Sequence, residues 1–402
     1  MSQSKFKKNS IALLALSAFC ATASAQVLIK GTVDQSYEKF ETKTNPKSAT
    51  APISGTDSVN RAASTLSNYS SLSFSGSEDL EDGLKATYEM SLKYVGPDSD
   101  SSTPVNYLSH VGLEGAFGKV KLGRQWRPLF TAVAAIDPTQ LSATPGFAGA
   151  GRSGTGLSGL APEPNNNTIT YSLPSLTPGL FIQVQKGFSD STQGESQGAH
   201  AIFTDGQKFF VSYAMHSEKM LASGIFAASA TGTNGIDKTI FTLSPTIKGT
   251  SAQLTVGGIN GLNHILYRSA NGGETRDSSA LAGSYNFGIF KLVGGMATEK
   301  VKDTKAKLEM SVIGVKVPIV EQVNVGYLYS KAEHTRDPSI VVSSLKHKNN
   351  FNISGQKLLL TYDLSKRTTA YVAYGKQKLD GGTDAGNEFS SAISALGLRH
   401  NF

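Results

Sequence analysis

From Leu84 to Tyr94 the chain alternates without exception. Leu84, Ala86, Tyr88, Met90, Leu92 and Tyr94 are apolar, while Lys85, Thr87, Glu89, Ser91 and Lys93 between them are polar or charged. Successive side chains of a strand point to opposite faces, so this stretch reads as a strand with one dry and one wet face. The same period returns in the first segment, where Val27, Ile29, Val33 and Tyr37 oppose Lys30, Asp34, Ser36 and Glu38. It recurs at 209–215, 307–312 and 323–330. No segment beyond the N-terminal region shows a capped 3.6-residue period. The reading is all-β, with about eighteen alternating segments, several of them weak.

A soluble sandwich also alternates, but two features favour a membrane barrel. Tilted strands need roughly 9–11 residues to cross hydrocarbon, longer than the usual soluble strand of about 5–6. The connections also alternate in length. Short ones stand at 81–83, 115–118, 205–207 and 365–367, and long ones at about 41–66, 126–167, 218–236, 260–277 and 332–355. Short turns on one side and long loops on the other are how outer-membrane barrels are built. The apolar face would then meet lipid and the polar face a water-filled lumen. Closure is obligatory, because an open edge in hydrocarbon leaves backbone groups unsatisfied.

One connection stands apart. After the short alternating stretch that begins at Lys119, the chain runs to Asn167 with little strand pattern. Its first half is hydrophobic (Trp126, Leu129, Phe130, Val133, Ile136) and its second half rich in Gly and Ser. Structureless loops beyond about 12–15 residues are usually functional or disordered. The apolar half predicts a loop that packs against something.

Composition bounds the rest. Only 39% of the 402 residues are hydrophobic, which excludes a bundle of membrane helices. The one long apolar run is N-terminal. A basic start (MSQSKFKKNS), the run IALLALSAFCA and the small residues Ala23, Ser24 and Ala25 read as a secretory signal over 1–25, leaving a barrel domain over 26–402. Cleavage there removes the single cysteine, Cys20, and takes Lys5, Lys7 and Lys8 from a formal charge of +7. What remains is mildly basic, with no Lys/Arg run, and gives no sign of nucleic-acid binding.

The chain resembles the Gram-negative general porins of the neisserial and burkholderial type over essentially its whole exported length. The resemblance rests on SFSGSEDLEDGLKATYEM (73–90), HVGLEGAFGKVKLGRQWRPLF (110–130), YDLSKRTTAYVAYGKQ (362–377) and the terminal LGLRHNF (396–402). It implies a transmembrane antiparallel β-barrel of sixteen strands, with eighteen left open by the pattern count, and a long third loop folded into the lumen. It further implies a homotrimer in the outer membrane, in contact with lipid and lipopolysaccharide. Phe402 would be the signal read by the barrel-assembly machinery. The function implied is passive diffusion of small hydrophilic solutes and ions.

The same resemblance suggests where selectivity lies. Relatives often line the wall opposite the loop with arginines. Here Arg124 is present, but Ser71, Ser73 and Ser75 occupy a segment where two arginines are expected, and Thr170 stands where many relatives have another. Alternation from Val120 and Leu122 turns Arg124 outward, so a lumen role requires a bulge near Gly123. The candidate constriction is Arg124, Arg127, Asp137, Arg152 and Glu163. Candidate lining residues are Lys30, Asp34, Ser71, Ser73, Ser75, Lys85, Glu89 and Thr170. Fewer arginines predict weak anion selectivity. Tyr37, Tyr69, Tyr94 and Tyr107 are assigned to interfacial girdles.

Catalysis finds no support. The seven His are scattered without metal-ligand spacing, no Gly-x-Ser-x-Gly elbow occurs, and no cofactor is expected. The alternative from another class is a substrate-specific channel or a surface-binding barrel, suggested by the long loops. Ohmic conductance that does not saturate separates the general channel from the specific one.

Overall fold

A computed structural model describes residues 26–45, 55–67, 70–94, 105–142, 164–190, 194–219, 275–302, 305–335, 351–381 and 388–402. In chain order the strands are β1 (Gln26–Asn45), β2 (Gly55–Ala63), β3 (Ser70–Asp79), β4 (Lys85–Tyr94), β5 (Val105–Gly115) and β6 (Gly118–Gln125). A short helix, α1 (Pro128–Ala134), precedes β7 (Asn165–Ser172), β8 (Leu180–Gly187), β9 (Ser196–Thr204) and β10 (Phe209–Lys219). Then follow β11 (Thr275–Asn286), β12 (Lys291–Val301), β13 (Ala306–Val320), β14 (Val323–Thr335), β15 (Phe351–Asp363), β16 (Thr368–Gly381) and β17 (Glu388–Asn401).

All neighbours pair antiparallel in one 17-stranded sheet, and β1 closes it by pairing with β17 from Thr32↔Asn401 to Asn45↔Glu388. Phe402 completes the seam. Its N–H donates to the Gly31 carbonyl at 3.0 Å, and the Gly31 N–H donates to the Phe402 carbonyl at 3.0 Å. No edge is left along this seam, as a hydrocarbon environment requires.

Seventeen strands fill sixteen positions. The outer half of β1 pairs with β2 and its inner half with β3, so β2 and β3 are two pieces of one barrel strand. Between them the chain leaves the ladder at Ser64–Ser67, and Leu66 joins Phe40, Leu359, Tyr371, Ala373, Ile393 and Ala395 on the inner faces of β1 and β15–β17. The sixteen-strand expectation holds, with one strand interrupted.

Burial is inverted relative to a soluble domain. On β10 the outward Val211, Tyr213 and Met215 are exposed, while the inward Ser212, His216 and Glu218 are buried. An apolar outside and a polar inside are what lipid and water on opposite faces select.

Three expectations need correction. The connections expected at about 41–66, 260–277 and 332–355 are partly strand: β1 runs to Asn45, β11 starts at Thr275 and β14 ends at Thr335. Outside the hydrocarbon both faces meet water, so pairing continues after the apolar signal stops. On β13 the apolar Leu308, Met310 and Val312 point inward rather than to lipid, each no more than 7% exposed. They form part of a seat for α1. And α1 itself is a helix that the period-two reading passed over. Pro128 starts it, consistent with proline's preference for the first helical position. Leu129, Ala132, Val133 and Ile136 then supply an i, i+3, i+4, i+7 stripe.

Candidate functional site: the lumen and its inward loop

The loop after β6 enters the lumen and runs along one side of it. Gly123 has φ +126°, and the β6–β7 register shifts between Gly123 and Gln125. A β-carbon at Gly123 would lie 2.2 Å from the Ser109 carbonyl oxygen, so the bulge needs glycine. Arg124 pairs opposite Ser109, in step with the outward pair Val111↔Leu122. Its Nε donates to the Tyr107 carbonyl at 2.9 Å, and its Nη1 donates to Asn166. In this position Arg124 clamps β5 to the start of β7.

Past the bulge, Arg127 anchors the loop. Its Nη1 donates to Glu218 Oε2 at 2.8 Å and lies 3.2 Å from His216 Nε2. Arg276 on β11 donates to the same carboxylate oxygen at 2.6 Å. One buried carboxylate thus holds a loop cation and a wall cation together. Helix α1 then lies on β8–β11, its stripe seated on the small inward residues Ala214, Ala280 and Ala282. The Ser212 hydroxyl donates to the Ala132 carbonyl at 2.7 Å, and His200 Nδ1 is 3.0 Å from the Pro128 carbonyl.

The loop continues across the next strands. At Gly326 on β14 a β-carbon would lie 2.1 Å from the Pro138 carbonyl oxygen, so the loop rests on bare backbone there. Asp137 accepts from the Thr139 N–H and hydroxyl at 2.7 and 2.6 Å, capping the turn. Its other oxygen is 3.8 Å from the fully buried Lys357 Nζ, which donates to the Ser142 carbonyl at 2.6 Å. Arg399 on β17 donates to Gln140 Oε1 at 3.1 Å. The described part of the loop therefore covers the inner wall from β8 round to β17. Arg152 and Glu163 lie outside the described residues.

Near β17 the strand break covers more of the wall. Asp34 is fully buried and accepts from the Ser67 N–H at 2.5 Å and the Tyr371 hydroxyl at 2.7 Å. The Ser64 hydroxyl donates to the Asp34 carbonyl at 2.8 Å. Asp34 holds the Ser64–Ser67 excursion in place.

What remains is the wall formed by the inner half of β1 with β3–β6. Its register is Lys30↔Ser73↔Ser91, Ser71↔Lys93 and Ser75↔Glu89↔His110, with Lys85↔Glu114↔Lys119 toward the turns. Antiparallel partners share a face, so these residues point to the lumen together. Lys121 joins them opposite Thr170, whose hydroxyl accepts from Gln185 Nε2 at 3.1 Å. That same Gln185 nitrogen donates to the Trp126 carbonyl at 2.9 Å, tying Thr170 to the root of the loop. Glu89 lies 3.4 Å from His110 and within electrostatic reach of Lys121 and Lys30. Glu114 pairs with Lys119 at 3.0 Å.

Alternation already puts Lys93 on the wet face; His110, Lys119 and Lys121 are lumen residues that sequence reasoning passed over. The signal is in the sequence: Lys119 and Lys121 alternate with Val120 and Leu122 in the same strand as Arg124. Tyr107, assigned to a girdle, is instead 8% exposed and set edge-on against Trp126, ring centroids 5.1 Å apart. Tyr37 is turned outward and 62% exposed. The side chains of Tyr69 and Tyr94 lie outside the described residues. Among the described residues no cluster of His, Cys, Asp and Glu is arranged to hold a metal ion.

A closed, lipid-faced barrel with a loop laid along its lumen defines the class: a transmembrane pore. The model of the Gram-negative porin family matches residues 12–382, and the chain belongs to that family. It is an outer-membrane barrel, in a family of channels rather than enzymes. Among curated relatives, the major outer membrane protein P.IB of Neisseria gonorrhoeae is 24% identical over 98% of this chain and 100% of its own length. Protein P.IA of Neisseria meningitidis serogroup C is 32% identical over a shorter stretch, 33% of this chain and 35% of its own. Among solved structures, the anion-selective porin from Comamonas acidovorans superposes with a TM-score of 0.64, covering 94% of this chain and 100% of its own at 21% identity. OmpT of Vibrio cholerae in its trimer form gives 0.59, at 13% identity over 94% and 99%.

Proposed function

We propose that the chain is a general diffusion pore for small hydrophilic solutes and ions, weakly selective for anions. The observation that carries this is the asymmetry of the lumen. On the covered wall Arg127, Arg276, Lys357 and Arg399 are bound to the loop or to buried carboxylates, while Lys291 and Lys316 face each other toward the turns. On the wall that no described loop residue covers, Lys30 and Lys121 lie within electrostatic reach of Glu89, and Lys93 faces the lumen further along β4. A Debye length of roughly 8 Å at physiological ionic strength lets such wall charge reach permeating ions. The serines that stand where arginines were expected keep the excess small.

Residues 1–25 are the export signal in this reading. Phe402, hydrogen-bonded at the seam and half exposed on the outer face, is the end recognised by the barrel-assembly machinery. Three copies associate as a homotrimer, in contact with outer-membrane lipid and lipopolysaccharide, as the trimer form of the Vibrio cholerae neighbour suggests by analogy. The pore works without catalysis. Conductance of the refolded chain in planar bilayers tests the reading: it should rise in proportion to potassium chloride concentration. Saturation at low concentration would favour the substrate-specific channel instead.

A further inference from the structure

The face of α1 turned away from the wall carries Phe130, and Trp126, just before the helix, stacks on it. Leu129, Ala132 and Val133 are buried on the barrel, whereas Phe130, Thr131 and Ala134 are not. Phe130 stacks on Trp126, ring centroids 4.1 Å apart and planes 13° from parallel. Tyr107 meets Trp126 edge-on, and Lys93 Nζ stands 5.0 Å over the Tyr107 ring. The carbonyl of Trp126 is fixed by Gln185, which also binds Thr170, the cross-strand partner of Lys121. Trp126 and Phe130 are half-buried, at the edge between the apolar seat and the lysine-bearing wall. The wall-facing stripe of this helix is fully packed on the barrel, whereas Phe130 and Trp126 pack on each other and keep part of their ring surface open.

We propose that Trp126, Phe130 and Tyr107, with Lys93 beside them, form a lumen subsite for planar aromatic anions such as aromatic carboxylates. The rings offer stacking area, and Lys93 on the adjoining strand offers counter-charge. Stacked and edge-on arrangements are both favourable for aromatic rings, and lysine over an aromatic face already shows that the cluster tolerates charge beside its rings. The inference rests on the pore reading and refines it. Chloride and small neutral solutes pass without pausing, while an aromatic anion dwells.

Trp126 is the only tryptophan in the chain, so its fluorescence reports the subsite directly. The refolded full-length chain is titrated with benzoate and, in parallel, with cyclohexanecarboxylate, which has the same charge without the aromatic ring. Benzoate should quench saturably, and should interrupt single-channel current at concentrations roughly three- to tenfold lower than cyclohexanecarboxylate, the range expected for one aromatic pairing. Trp126→Ala should abolish the difference between the two acids in the current record. Trp126→Phe, which keeps a ring to stack, should restore most of it. Lys93→Gln should weaken interruption by benzoate more than by benzyl alcohol. Equal effects of benzoate and cyclohexanecarboxylate, or purely collisional quenching by benzoate, would overturn the subsite while leaving the pore intact. A chain that gives no ohmic current steps in chloride alone fails at the pore reading itself.

Discussion

The two halves of the inner wall are built from the same kind of strand, yet they do opposite things with charge. From β8 to β17 the wall is a dock. Small apolar residues receive α1, and Glu218, Asp137 and Asp34 are consumed in holding loop and excursion. From β3 to β6 the wall is a surface for water. Serines, lysines and Glu89 face the lumen with no described loop laid over them. The difference shows that lumen charge alone does not measure selectivity. Charges spent on holding the loop are neutralised at close range; those facing water on the opposite wall are placed to act on ions.

The largest expected effect comes from breaking the dock. Glu218→Ala leaves Arg127 and Arg276 buried without their common partner. Removing one member of a buried ion cluster costs about 3–5 kcal/mol, so the urea midpoint of the refolded barrel should fall sharply, with noisier open-channel current as the loop loosens. An unchanged midpoint and quiet current would mean the loop is held elsewhere. Next, Gly326→Ala places a methyl group 2.1 Å from the Pro138 carbonyl oxygen. Forced overpacking of this kind costs about 1–3 kcal/mol. Because the loop must move into the lumen to relieve it, unit conductance should change as well as stability. Stability loss without a conductance change would place the strain in the wall and not in the loop.

On the wetted wall the same logic predicts function without stability. Lys121→Glu should turn the reversal potential toward cations and cost far less stability than Glu218→Ala, since Lys121 is only half-buried. A large stability loss would show that Lys121 belongs to the architecture after all.

The smallest effect lies in neither half. At the β9–β10 turn, Asp205 accepts the N–H groups of Gln207, Lys208 and Phe209 at 3.0, 2.8 and 3.0 Å. These bonds hold its carboxyl below the usual aspartate range. A depressed folded-state pKa gives stability that is complete above the unfolded value and lost as pH falls through the folded one. Asp205→Ala should therefore lower the unfolding midpoint slightly at neutral pH and no longer do so in strong acid. A pH-independent difference would assign the effect to turn conformation.

Much of this molecule was legible because a bilayer writes its demands into period two. Met90, Val111, Leu122 and Tyr213 face out where alternation puts them. The short turns at 81–83, 115–118, 205–207 and 365–367 fall between strands as read. The lumen loop was legible as an apolar run with no place in a strand. What escaped was set by the loop's own needs. Leu308, Met310 and Val312 look like lipid-facing residues, since an apolar side chain reads the same whether it meets hydrocarbon or a docked helix. The roles of Asp34 and Arg127 depend on partners far along the chain, Tyr371 and Glu218, that spacing does not reveal. Arg124 drew attention through family pattern, while Lys121, three residues earlier, carried the plainer alternation signal.

The central claim is that Lys30, Lys93 and Lys121, on the wall that no described loop residue covers, set the ion preference. It is tested most directly by the reversal potential across a potassium chloride gradient, measured for the unaltered chain and for the triple change of these lysines to glutamine. The account predicts a modest anion-favouring potential that falls to zero or turns cation-favouring in the variant. A strongly cation-favouring potential in the unaltered chain, or an anion preference untouched by the triple change, would contradict it.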